Sequence, residues 1–94
     1  MTEQRFDNVW DALETSPADA ANMKARSTLM IAIREVVEGW KLTQADAARR
    51  LGVTQPRMND LLRGRIDKFS LDALMIIATK AGLTVEWHVV KPAA

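Results

Sequence analysis

From Thr43 to Gly64 the chain reads TQADAARRLGVTQPRMNDLLRG, and this stretch restricts the fold more than any other. Two short helices joined by a tight turn are its simplest reading. Thr43 offers an N-cap hydroxyl, and Asp46 puts an acid in the first turn, where the helix dipole favours negative charge. Ala45, Ala47, Ala48 and Leu51 make an inner side small enough for a second helix to approach closely. Gly52 closes the first helix, since a glycine past the last periodic residue takes the left-handed conformation at low cost. Val53 fills the angle between the helices and Thr54 caps the second. Pro56 stands near the first turn of that helix, where a missing N–H costs little, and Gly64 stops it.

Periodicity then decides which side of the second helix is free. With Met58 directed inward, Leu61 and Leu62 fall on either side of it, so Pro56, Asn59, Asp60 and Arg63 point away. A helix held by one apolar stripe and presenting short polar side chains fits the major groove of double-stranded DNA.

The pattern T-Q-A-x-x-A-x-x-L-G-V-T-Q-x-x-M-x-x-L-x-x-G over Thr43–Gly64 resembles the XRE, or lambda-repressor-like, helix-turn-helix family. In that family the glutamine opening the first helix anchors a phosphate and the one opening the second reads bases; the resemblance therefore implicates Gln44 and Gln55. The layout also resembles a subgroup of short bacterial regulators, many of them antitoxins of HigA type. In these a V-W-D-A-L-E-like segment, here Val9 to Glu14, precedes the domain and a single strand follows it. The antitoxin role is implied by this wider likeness with less force than the DNA-binding fold.

The net charge of +1 conceals a division. Residues 1–20 carry Glu3, Asp7, Asp11, Glu14 and Asp19 against Arg5, a net −4; residues 41–68 carry Lys41, Arg49, Arg50, Arg57, Arg63, Arg65 and Lys68 against Asp46, Asp60 and Asp67, a net +4. A basic middle is an electrostatic footprint for phosphate, whereas the acidic front is repelled by DNA and free to face something else. Arg49, Arg50, Arg63, Arg65 and Lys68 are the expected phosphate neutralisers, with Gln44 and Thr54 beside them. Gln55 and Asn59 can each pair with adenine, Arg57 with guanine or a phosphate, and Pro56 can touch a thymine methyl. Asp60 either accepts from cytosine or orients Arg57 or Arg63, and the second role is preferred.

Around the motif the chain divides into an extension over 1–16, a helix-turn-helix domain over 17–82 and a strand with tail over 83–94. Phe6, Val9, Trp10 and Leu13 recur at helical spacing, predicting a short amphipathic helix over about 7–14. Its apolar face is most simply covered by the protein's own core or a second copy; the sharper alternative is docking of a toxin partner, since Trp anchors often dominate interfaces. Ser16, Pro17 and Asp19 start a long helix to about Glu38, ended by Gly39, with Met23, Leu29, Met30, Ile33, Val36 and Val37 along one side. Its half from Ala18 to Arg26 is expected to project, and Ser27-Thr28 offers a place for a break. Trp40 and Leu42 are expected to fold back onto the core, as are Ile66 and Phe69 in the loop after Gly64. Ser70 caps a last helix over about Leu71–Ala81, with Gly82 as its stop.

From Leu83 to Val90 the period changes. Val85, Trp87 and Val89 alternate with Glu86 and His88, which is a strand signature. One strand cannot satisfy its own ladder, so pairing with the same strand of a second copy is the economical solution. The fold class expected is all-α: a lambda-repressor-like five-helix helix-turn-helix domain with an N-terminal helical extension and one C-terminal β-strand paired in a homodimer.

No catalytic constellation is present. His88 is the sole histidine, the chain has no cysteine, and Ser16, Ser27 and Ser70 stand at helix starts, so neither a metal site, a cofactor nor an enzyme is expected. No run is long and apolar enough to span a bilayer, and the first residues lack a signal peptide's pattern, which fits a cytoplasmic protein without membrane partners. The function expected is a sequence-specific repressor on a palindromic operator, with an operon-regulating antitoxin as its extension. A protein-interaction module with a degenerate helix-turn-helix is the alternative.

Overall fold

The computed structural model describes residues 16–93. The segment with Phe6, Val9, Trp10 and Leu13 lies outside them. The described residues form four α-helices and one turn of 3-10 helix: α1 (Pro17–Trp40), α2 (Gln44–Leu51), α3 (Gln55–Leu62), the 3-10 turn (Ile66–Lys68) and α4 (Leu71–Lys80). Each α-helix opens on a hydroxyl cap: Ser16, Thr43, Thr54 and Ser70 accept from the backbone N–H of Asp19, Asp46, Arg57 and Ala73. Every such cap satisfies a donor that the helix itself cannot.

One core is shared by all four helices. Leu29, Met30, Ile33 and Val37 of α1 meet Ala47, Ala48 and Leu51 of α2, Met58 and Leu61 of α3, and Leu74, Ile77 and Ala78 of α4, with Phe69 closing one side. α1 packs chiefly along α4, while α2 and α3 pack on each other. No helix among the described residues is long and apolar enough to cross a membrane.

Several expectations are corrected. The count of five helices does not hold for the described residues, because α1 runs unbroken through Ser27-Thr28. The Thr28 hydroxyl donates to the Lys24 carbonyl at 3.0 Å, so it is absorbed by the helix instead of capping a new one. Gly39 does not end α1 either; the helix continues to Trp40, which packs half-buried against the core, and Lys41 takes the left-handed cap at φ 57. Trp40 reaches the core as expected, whereas Leu42 stays 42% exposed. The first half of α1 is exposed from Ala18 to Asn22, as expected, but its end is not free: Ala25 lines an open cleft of about 420 Å³ shared with Val85 and Trp87, and Arg26 bonds the carbonyls of Ile66 and Phe69.

The strand read over Leu83–Val90 is not formed; among the described residues there is no strand. Leu83 donates to the Ala78 carbonyl at 3.0 Å, and no backbone group from Thr84 to Ala93 bonds to the backbone of another described residue. A β-strand exists only as part of a ladder, and the described residues offer this segment no partner.

Candidate nucleic-acid interface

The turn between α2 and α3 is built from a glycine and a valine. Gly52 sits at φ 68 and donates to the Arg49 carbonyl at 3.1 Å, while Val53 donates to the Ala48 carbonyl at 2.9 Å. This closure turns the chain at once into Thr54 and α3. Met58 and Leu61 anchor α3 at 0% and 1% exposure. On its other side Gln55, Pro56 and Arg63 are exposed and Asn59 is half-buried. The outward face predicted from periodicity is therefore present, and Leu62, half-buried, sits at its margin.

The starts of the two motif helices are tied together. Gln44 Nε2 donates to the Gln55 carbonyl at 3.4 Å, placing both glutamines at one edge with the exposed Thr54 between them. At the far end of α3, Gly64 adopts φ 70, and a Cβ there would lie 3.3 Å from Arg34 Nη1. The backbone conformation selects glycine at this stop. The Arg34 cation also stands where the negative end of the α3 dipole favours it.

The loop after α3 is held from two sides by arginines. Arg57 Nη1 donates to the Lys68 carbonyl at 2.8 Å, and its guanidinium lies 4.2 Å from the centroid of the Phe69 ring. From α1, Arg26 Nη1 donates to the carbonyls of Ile66 and Phe69 at 3.2 and 3.3 Å, with its Nε on Asn22 Oδ1 at 2.7 Å. The loop's carbonyls are thus turned inward, and Arg65, Asp67 and Lys68 are left exposed. Asp60, half-buried on α3, has its carboxylate 3.9 Å from Arg65 Nε, so the arginine it faces is Arg65 and not Arg57 or Arg63.

The cations predicted to meet phosphate do not all gather here. Arg63, Arg65 and Lys68 share the end of α3 and the loop beyond it. Arg49 pairs with Asp46 one turn back on α2, and Arg50 stacks on Trp40 with its Cζ 4.1 Å from the ring centroid. Helical spacing sets these two about 140° and 120° around α2 from Gln44. Arg26 was missed from sequence: its spacing from Asn22 allows an i,i+4 pair, but the carbonyls it binds lie in a distant loop.

Comparison with known proteins agrees with this geometry. A family model described as a helix-turn-helix domain matches residues 12–90. A solved structure assigned to the XRE family of transcriptional regulators is 31% identical, with a TM-score of 0.72, covering 79% of this chain and 83% of its own. The chain belongs to the XRE family of helix-turn-helix proteins. No curated protein matches it significantly. In this XRE-family chain, the anchored glutamine pair and the exposed α3 face form one continuous candidate surface, extended by the loop that Arg26 and Arg57 hold.

Proposed function

We propose that this protein is a cytoplasmic, sequence-specific DNA-binding repressor that acts as a homodimer on a palindromic operator. One observation carries the reading: α3 is anchored by fully buried Met58 and Leu61 yet exposes Gln55, Pro56 and Arg63 on its opposite side. A helix so mounted enters a major groove with its N-terminal residues at the base edges. Gln55 is assigned to adenine, Asn59 to a neighbouring base and Pro56 to a thymine methyl. Gln44, Thr54, Arg63, Arg65 and Lys68 are assigned to the phosphate backbone. Arg57 holds the loop in place of the guanine or phosphate contact expected of it, and Asp60 keeps the preferred role of orienting an arginine, with Arg65 as that arginine.

Two copies related by a two-fold axis would set their α3 helices about one DNA turn, roughly 34 Å, apart, and so read a palindrome. A dimer bound at a promoter obstructs polymerase. The acidic front of the chain, net −4 over residues 1–20, supports a second surface directed at a toxin partner, as in an antitoxin that represses its own operon.

Selection of bound fragments from genomic DNA yields the operator. On that operator Gln55→Ala loses about 1–3 kcal/mol of affinity while binding to random DNA barely changes. Equal losses on both sequences rule out base reading at this position. Co-purification of the chain with the product of an adjacent gene tests the antitoxin role.

A further inference from the structure

The segment from Thr84 to Val90 reads TVEWHVV, and about Trp87 it is nearly a mirror of itself: valine at 85 and 89, a carboxylate at 86 and an imidazole at 88. We infer that two copies of this chain join through an antiparallel ribbon whose two-fold axis passes through Trp87, so that residues whose numbers sum to 174 stand opposite each other. This deepens the homodimer reading above and rests on it.

The structure supplies the reason for a second copy. From Thr84 to Ala93 no backbone N–H or C=O bonds to the backbone of another described residue, so among the described residues this row of ladder groups has no partner. Along the same stretch the apolar residues emerge progressively: Val85 is half-buried against the core, Trp87 is 56% exposed and Val89 93%. Once the segment is paired as a strand these three share one face, since alternate residues do. On one side the segment shares an open cleft with α1, lined by Ala21, Ala25 and Leu29 across from Val85 to His88.

Register follows from which side chains meet. Centred on Trp87, the ribbon puts Val85 against Val89, Trp87 against itself and Val89 against Val85, an entirely apolar face. Its other face sets Glu86 against His88 twice, a carboxylate acceptor opposite an imidazole N–H donor, which is a favourable cross-strand pair. Centring on Glu86 opposes two carboxylates directly, which is destabilising. Centring on His88 leaves Glu86 opposite Val90 and shortens the ribbon within the 84–90 run. A shift to an odd sum turns the apolar side of one strand to the polar side of the other.

The chain has no cysteine, so single cysteines report the register without interference. Full-length Trp87→Cys, oxidised at micromolar concentration, is expected to form a self-linked dimer, because directly opposed residues lie about 4.5–5.5 Å apart, within disulfide range. Glu86→Cys and His88→Cys, which keep Trp87, are each expected to stay unlinked alone, their like residues being diagonal at about 7–8 Å, and to cross-link when mixed. Self-linking of Glu86→Cys or His88→Cys overturns the register. Wild-type dimers by sedimentation with no cross-link in any variant overturn the ribbon and leave the homodimer standing. A monomeric wild type overturns the homodimer itself.

Discussion

Arg57 of α3 donates to the carbonyl of Lys68 at 2.8 Å while its guanidinium lies over the Phe69 ring, so the helix that faces outward also fixes the loop that follows it. Arg57→Ala is expected to lower stability by about 1–2 kcal/mol, the half-exposed site discounting a charged hydrogen bond and a cation–π contact. Arg57→Lys recovers little, since lysine lacks the flat fork that stacks and donates together. Urea denaturation measures the loss. A variant with unchanged stability and a defect confined to operator DNA would return Arg57 to the base-reading set.

Salt dependence separates the cations. Replacing Arg65 and Lys68 by alanine is expected to flatten the dependence of affinity on salt by about 0.9 in log–log slope for each phosphate contact removed. Replacing Arg49 and Arg50 is expected to change it less, because one is paired with Asp46 and the other is stacked on Trp40. Titrations at several salt concentrations check this ranking, and the reverse order would place the phosphates along α2.

Leu51 is fully buried where α2 meets the shared core, at 0% exposure. Leu51→Ala is expected to cost about 2–5 kcal/mol through lost transfer energy and the cavity left behind. Ile31, 56% exposed on α1, serves as the control: Ile31→Ala should shift the denaturation midpoint by about 0.5 kcal/mol or less.

Gly52 closes α2 at φ 68, and a Cβ there would lie 3.1 Å from Lys80 Nζ. The lysine end can swing aside, so backbone strain sets the penalty. Gly52→Ala is expected to destabilise by about 1–2 kcal/mol, and Gly52→Asn by less, because asparagine tolerates the left-handed region better. Thermal unfolding of the two variants gives the order.

The helix starts and the buried side of α3 read correctly because the deciding atoms are close in sequence. The caps at Ser16, Thr43, Thr54 and Ser70 each bond an N–H three residues on, and the anchoring of α3 by Met58 and Leu61 follows from spacing within one helix. Gly39 misled because a glycine permits a helix end without requiring one; packing of Trp40 carried α1 past it. Thr28 misled for a related reason, since its hydroxyl can cap a new helix or bond back into the old one, and only the position of the neighbouring helices chooses.

What the sequence by itself determined is the helix-turn-helix: its caps, its glycine turn, and the side of α3 that faces out, all consequences of interactions within a few residues of one another. What only the tertiary structure decided is how the charges are distributed over partners. Arg26 and Arg57 turn inward to loop carbonyls, Arg50 goes to Trp40, and Asp60 faces Arg65. A guanidinium on a long flexible stem reaches several acceptors, and which of them lies within hydrogen-bonding distance depends on segments brought together by folding.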